Sequence, residues 1–253
     1  MVPVYLQEAI SFMKIDDAAE VNRQYLYHDN DGFVEYVQHM GDDATIVNAA
    51  RVSFGKQVAE LSNKDKKLIK YLVAHKHTST LEHNVLTMRF RVPLFVARQH
   101  MRHRTWSFNE ISRRYTSIDM SMYEPDMFRV QHSQNRQASE DDGLINPLCV
   151  STTAYDIGIS GSASSLVKRH HKSSMLLYES LMQAGVCREQ ARGVLPQNMY
   201  TEYLGTVNLN NLIKFIHLRI HEGAQWEIRR VAESCYHIAS SLWPDVMKCA
   251  VKN

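Results

Sequence analysis

The sequence predicts an α+β fold in one domain. Two observations predict it. Leu86, Met88, Phe90 and Val92 alternate with Thr87, Arg89 and Arg91, the period of two of a strand with one buried face. Elsewhere apolar residues mostly recur at helical spacing, and strands do not alternate regularly with helices, so a doubly wound parallel sheet is not indicated. The 253 residues read as a single domain, 1–253, with an irregular surface excursion at about 117–165.

Residues 1–10 read as an edge strand, and Asp16 or Asp17 as the cap of a helix running to about Tyr27. A second helix is expected over Asp42 to Phe54, with Ile46, Val47 and Ala50 on one face. Ser62 suits the N-cap of the next, where Leu68, Ile69, Leu72 and Val73 form a stripe. After the polar loop His75 to Thr80 comes the alternating strand. Pro93 ends it and suits the first turn of a helix carrying Phe95, Val96 and Gln99. Thr105 to Asn109, rich in small polar residues, reads as a turn. Residues 117–165 read as a long loop. A helix resumes over about Ser164 to Ala184, with Leu177, Leu181 and Met182 inward and Gly185 as its stop. A short helix spans Arg188 to Leu195, and Met199 to Val207 reads as a strand. Asn208 caps a helix holding Leu212, Ile213, Ile216 and Ile220. A last helix runs from about Ala224 to Trp243 and stops at Pro244.

Hydrophobic residues make up 44% and charged residues 22%, ordinary for a full-sized core. The net charge is only +2, so bulk electrostatics give no reason to expect nucleic acid. Four cysteines, none in a C-x-x-C pair, read as reduced thiols in a cytoplasmic protein. The first residues lack the pattern of a signal peptide, and no apolar run is long enough to span a membrane.

Local clustering is another matter. Seven arginines lie between Arg89 and Arg114, with a single acid, Glu110, among them. Guanidinium groups offer planar forks of donors matched to phosphate oxygens. Arg89 and Arg91 read as the solvent face of the strand, and Arg98 as an exposed helix residue or a ligand contact. Arg102, Arg104, Arg113 and Arg114 read as a site for anionic ligands. Trp106 and Phe108 could stack on a nucleic-acid strand, but no extended basic stripe accompanies them. Asn109 and Glu110 suit a small ligand better.

Arg102-His103-Arg104, seven residues and then Ser112 resembles the R-H-R-x7-S signature of the flavin-dependent thymidylate synthases. Pro93 to Gln99 before it, and Asn109 to Ser112 with Arg114-Tyr115 after it, are similar to the same family. So are three further blocks in the same order: His77-Thr78-Ser79 with Glu82-His83, Arg188 to Pro196, and Thr206 to Glu227. The resemblance covers about residues 42–120 and 175–243. It implies a central mixed or antiparallel sheet flanked by helices, FAD as cofactor and a homotetramer with active sites between subunits. It also implies reductive methylation of dUMP to dTMP, with 5,10-methylenetetrahydrofolate as carbon donor and NADPH as reductant.

By the same resemblance, Ser79, His77, Arg102, His103, Arg104, Glu110, Asn208, Asn210 and Lys214 would meet FAD, although Lys214 stands where relatives often carry Asn or His. Gln99, Arg102, Glu110, Ser112, Arg113, Arg114, Arg192 and Arg219 would meet the nucleotide. Arg219 would favour ionisation at the uracil N3, because a fixed positive charge lowers the pKa of a neighbouring N–H. Ser112 invites a nucleophile reading, but a serine needs an adjacent base, and positioning of the substrate is the better expectation. No cysteine has the Pro-Cys-His-Arg neighbours of the thymidylate synthases that use a cysteine nucleophile; Cys187 reads as a packing residue.

Two rival readings carry other chemistry. His75, His77 and His83, or His217 and His221 with Glu222, have metal-ligand spacings, although 13 histidines produce such pairs easily. The arginine segment could belong to a nucleic-acid-binding module. The preferred reading expects no metal and neither nucleic acid nor a membrane as partner.

Overall fold

The computed structural model describes residues 22–152 and 157–251. The chain runs through β1 (Arg23–Tyr25), β2 (Phe33–Met40), α1 (Asp43–Arg51), α2 (Asn63–Ala74), β3 (Val85–Pro93), α3 (Leu94–His100) and β4 (Ser107–Glu110). There follow β5 (Phe128–Gln131), β6 (Ser139–Ile145), β7 (Leu148–Thr152), β8 (Ile157–Ser162), α4 (Ala163–Gln183) and α5 (Arg188–Ala191). The chain closes with β9 (Tyr200–Asn208), α6 (Leu209–Ile220), α7 (Trp226–Leu242) and α8 (Pro244–Ala250).

The fold is α+β, as expected. Five strands form one sheet in the order β1-β2-β3-β9-β4, and every neighbouring pair is antiparallel. The alternating strand, β3, is its centre. Leu86, Met88, Phe90 and Val92 are fully buried in a core shared with Leu212 and Ile216 of α6 and Ile228 and Val231 of α7. On the opposite face Arg89 is exposed and pairs with Glu35 at 3.6 Å and Glu202 at 3.4 Å. Arg91, expected at the solvent, is instead largely covered. It pairs with Asp31, donates to Ser121 Oγ at 3.0 Å and lies over the Tyr200 ring.

Local sequence sets several boundaries. Ser62 and Asp65 form a capping box at the start of α2, and Asp42 with Thr45 does the same for α1. The Asn208 side chain accepts from Asn211 N–H and caps α6. Gly185 follows α4 with φ of +87°, a conformation that favours glycine at a helix end.

Other expectations are corrected. The edge strand at 1–10 and the start of the helix capped by Asp16 or Asp17 lie outside the described residues; the end of that helix, at residues 23–25, is strand β1, paired with β2. Thr105 to Asn109 is not simply a turn, because Ser107–Glu110 forms β4 on the edge of β9. The excursion holds two antiparallel hairpins, β5–β6 and β7–β8. Along α4 the inward residues are His171, Ser174 and Tyr178, whereas Leu177 is 49% exposed and Leu181 and Met182 are half-buried. The helix expected to stop at Pro244 does end there, α7 closing at Leu242 with Trp243 as its cap, but it is not the last: Pro244 opens α8, in a first turn where its missing N–H costs nothing.

Candidate functional site

The arginine segment leaves α3 and wraps around a buried histidine. His100 is fully buried and edge-on to Trp106, with ring centroids 4.4 Å apart, and its Nδ1 lies 2.8 Å from Tyr203 Oη. Phe90, Phe108 and Phe215 complete the aromatic surround. His103 N–H donates to His100 O, and Trp106 N–H to His103 O, so two tight turns fold residues 100–106 back towards β4. Gly205 of β9 makes room for this. A Cβ there would stand 2.9 Å from Phe90 Cε2 and 3.2 Å from Trp106 Cε3. Trp106 is therefore core, and stacking of Trp106 on a nucleic-acid strand is ruled out by its place beneath the loop.

The wrapping brings His103 to Arg219, one residue from the end of α6. Arg219 Nε donates to His103 Nε2 at 3.1 Å, and Arg219 Nη2 donates to Gln99 O at 3.4 Å. Burial, and then the adjacent Arg219 charge, depresses the His103 pKa to about 4. The ring is thus neutral near pH 7. Because Nε2 accepts, the ring proton sits on Nδ1. Burial also lowers the Arg219 pKa, so its charge stands in a partly dehydrated place where it acts strongly on a neighbour. Arg102 and Arg104 flank this pair, exposed and with no hydrogen bond or ion pair to any described residue.

A second group lies at the start of α6. Leu209 N–H donates to Asn84 O at 2.9 Å, and Asn210 Nδ2 donates to Glu82 Oε1 at 2.8 Å. These bonds hold the loop carrying His77 and Ser79 against the helix that carries Asn208, Asn210 and Lys214. His77, Ser79 and Lys214 are exposed, and Asn210 is buried. Arg219 lies nine positions after Asn210, about 14 Å along a helix. A ligand touching both groups must be elongated.

A third group gathers beyond β4. Ser112 Oγ accepts from Arg114 N–H at 3.3 Å, and Arg114 pairs with Glu189 at 3.5 Å. Arg192 Nε donates to Glu189 O at 3.3 Å, and Arg188 Nη1 to Tyr115 O at 3.0 Å. Arg114 and Arg192 are exposed. Arg113, expected to meet the nucleotide, is turned inward and only 8% exposed. Its guanidinium donates to the carbonyls of Ile118, Asp119 and Tyr200. Glu110, at the end of β4, accepts from Thr201 Oγ1 at 2.6 Å. The four residues of β4 span about 13 Å, so the Arg102–Arg104 loop and the Ser112–Arg114 turn stand apart within one chain.

Sequence reasoning gave no role to His100, which orders the loop, or to Gln225, whose Oε1 accepts from Gln99 Nε2. Cys187, read as packing, is exposed at the N-cap of α5. His217 bonds to Ala250 O and His221 to Gly223 N. Among the described residues no three His, Cys, Asp or Glu side chains converge as a metal site would require. No helix among them is long and apolar enough to cross a membrane.

Residues 35–245 match the family model described as thymidylate synthase complementing protein. A flavin-dependent thymidylate synthase of Thermus thermophilus is 41% identical over 213 residues, 84% of this chain and 73% of the relative. The enzyme of the same description from Thermosipho africanus is 38% identical over 221 residues, 87% of this chain and 91% of the relative. The chain belongs to the flavin-dependent thymidylate synthase family. As a member it is an enzyme, and its family works with a flavin. Its fold is also that of a crystal structure of a UMP/dUMP methylase, PolB from Streptomyces cacaoi, bound with 5-Br dUMP. That likeness has a TM-score of 0.69 at 31% identity and covers 85% of this chain and 93% of that one.

Proposed function

We propose that the protein converts dUMP to dTMP by reductive methylation, with FAD as cofactor, 5,10-methylenetetrahydrofolate as carbon donor and NADPH as reductant, in the cytoplasm. The observation that carries the proposal is the meeting of Arg219, neutral His103 and Gln99 beside the unpaired guanidiniums of Arg102 and Arg104.

The residues fit an elongated dinucleotide. Arg102 and Arg104 offer free donor forks for a pyrophosphate, and His103 Nδ1–H is a neutral donor beside them. Ser79, His77, Asn208, Asn210 and Lys214 supply polar contacts at the other end of α6. Bound FAD would supply the electrons that reduce the transferred one-carbon unit to a methyl group. The chain's own part is to bind and orient. Arg219, held through Nε by His103 and through Nη2 by Gln99 O, keeps a fixed positive charge for the uracil N3, favouring loss of its proton and enriching the ring for attack at C5. Arg114 and Arg192 suit the nucleotide phosphate. Ser112, with no base described beside it, positions rather than attacks.

The separation of Gln99, Arg102 and Arg219 from Ser112, Arg114 and Arg192 favours a site completed between subunits, as in a homotetramer. Arg113 serves that site by ordering residues 118–119 rather than by touching the nucleotide. Purified protein should be yellow or become so with FAD. It should form dTMP only when dUMP, NADPH, FAD and the folate are all present; colourless protein without this activity would refute the proposal.

A further inference from the structure

The hairpin β5–β6, to which the family resemblance assigns nothing, reaches the site through a chain of hydrogen bonds. Arg129 of β5 lies over the Trp226 ring at 4.8 Å and donates through Nη2 to Glu227 Oε1. Tyr123 Oη donates to the same oxygen at 3.3 Å. Glu227 is only 4% exposed. Its other oxygen, Oε2, accepts from Gln225 Nε2 at 2.9 Å, and Gln225 Oε1 accepts from Gln99 Nε2.

The direction of every link is forced. A carboxylate only accepts, so Gln225 must turn its NH2 towards Glu227 and its carbonyl towards Gln99. Gln99 must then turn its NH2 towards Gln225. No described residue donates to Gln99 Oε1.

We propose that Arg129, Glu227 and Gln225 are positioning residues that hold Gln99 as a hydrogen-bond acceptor, so that Gln99 Oε1 receives a donor group of the bound nucleotide. This rests on Gln99 meeting the nucleotide, as proposed above. Of the two neutral donors of a deoxyuridine nucleotide, an acceptor at the imide N3–H would hold the proton that Arg219 is proposed to loosen, which leaves the 3′-hydroxyl as the group for Gln99 Oε1.

The chain of bonds also predicts its own reversal. In Glu227→Gln the carboxamide oxygen stays with Arg129, which can only donate. The new NH2 then faces Gln225, which flips, and Gln99 flips after it, so that Gln99 presents NH2 to the nucleotide. Gln225→Met cuts the chain while leaving Arg129 and Glu227 paired.

The test uses FAD-loaded protein, with folding checked by thermal melting. Equilibrium binding is measured for dUMP and for its 2′,3′-dideoxy analogue. The parent protein should bind the 2′,3′-dideoxy analogue about tenfold more weakly than dUMP. Both variants should lose most of that discrimination. A folded Glu227→Gln or Gln225→Met protein that keeps the parent's discrimination overturns the inference. So does a parent indifferent to loss of the 3′-hydroxyl. A parent that does not bind dUMP overturns the nucleotide reading itself.

Discussion

His103→Gln tests whether the central histidine of the R-H-R loop is held neutral. Glutamine can still accept from Arg219 Nε through its carbonyl, but it cannot titrate. In the folded chain the His103 pKa is depressed from the ordinary 6.5 to about 4, by burial first and by Arg219 second. Below pH 6.5 the unfolded chain therefore binds a proton that the folded chain refuses. The stability from this group is whole above about pH 6.5 and is lost progressively as pH falls towards 4. Between about pH 7.5 and about pH 5.5 the loss is up to about 1.4 kcal/mol, an upper figure because partial exposure screens the charge. Urea denaturation of both proteins at the two pH values isolates the effect. His100, also depressed by burial, is present in both and largely cancels in the difference. The parent should lose up to about 1.4 kcal/mol more than His103→Gln on acidification. Equal losses would falsify the neutral-acceptor arrangement and with it the orientation assigned to Arg219.

Gly205→Ala should cost about 1–3 kcal/mol and lower the melting temperature, because its methyl group meets two rigid rings, Phe90 and Trp106; an unchanged melt would mean that the loop packing is looser than described. Arg113→Met should destabilise by about 2–4 kcal/mol, since it strands the carbonyls of Ile118, Asp119 and Tyr200, and any loss of dUMP affinity should follow the loss of fold. Ser112→Ala should weaken dUMP binding while leaving measurable turnover; abolished turnover with intact binding would defeat the positioning role.

Much of the site was legible in sequence because its pieces are local. The R-H-R-x7-S spacing, the Asn208 cap and the alternation of Leu86 to Val92 each depend on residues close together in the chain. Errors arose where a distant partner decides. Ser107–Glu110 has no hydrophobic alternation to announce it, since it is an edge strand held by β9. Leu177 lies about 100° around the helix from Tyr178, on a flank left exposed while His171 and Tyr178 are buried, a difference periodicity alone could not decide. Arg113 and Arg114 are adjacent and chemically equal, yet one clamps three carbonyls and the other faces solvent, a difference set by residues 118–119 and β9.

The sequence by itself determined the family, the basic segment and the helix caps, because these rest on residue type and short spacing. Only the tertiary structure decided which charges are free. It set Arg219 against His103 across 116 positions of chain, buried His100 to shape the loop, and joined Arg129 to Gln99 through Glu227 and Gln225. Burial and the direction of a hydrogen bond depend on what packs alongside. The chain meets those neighbours only when it folds.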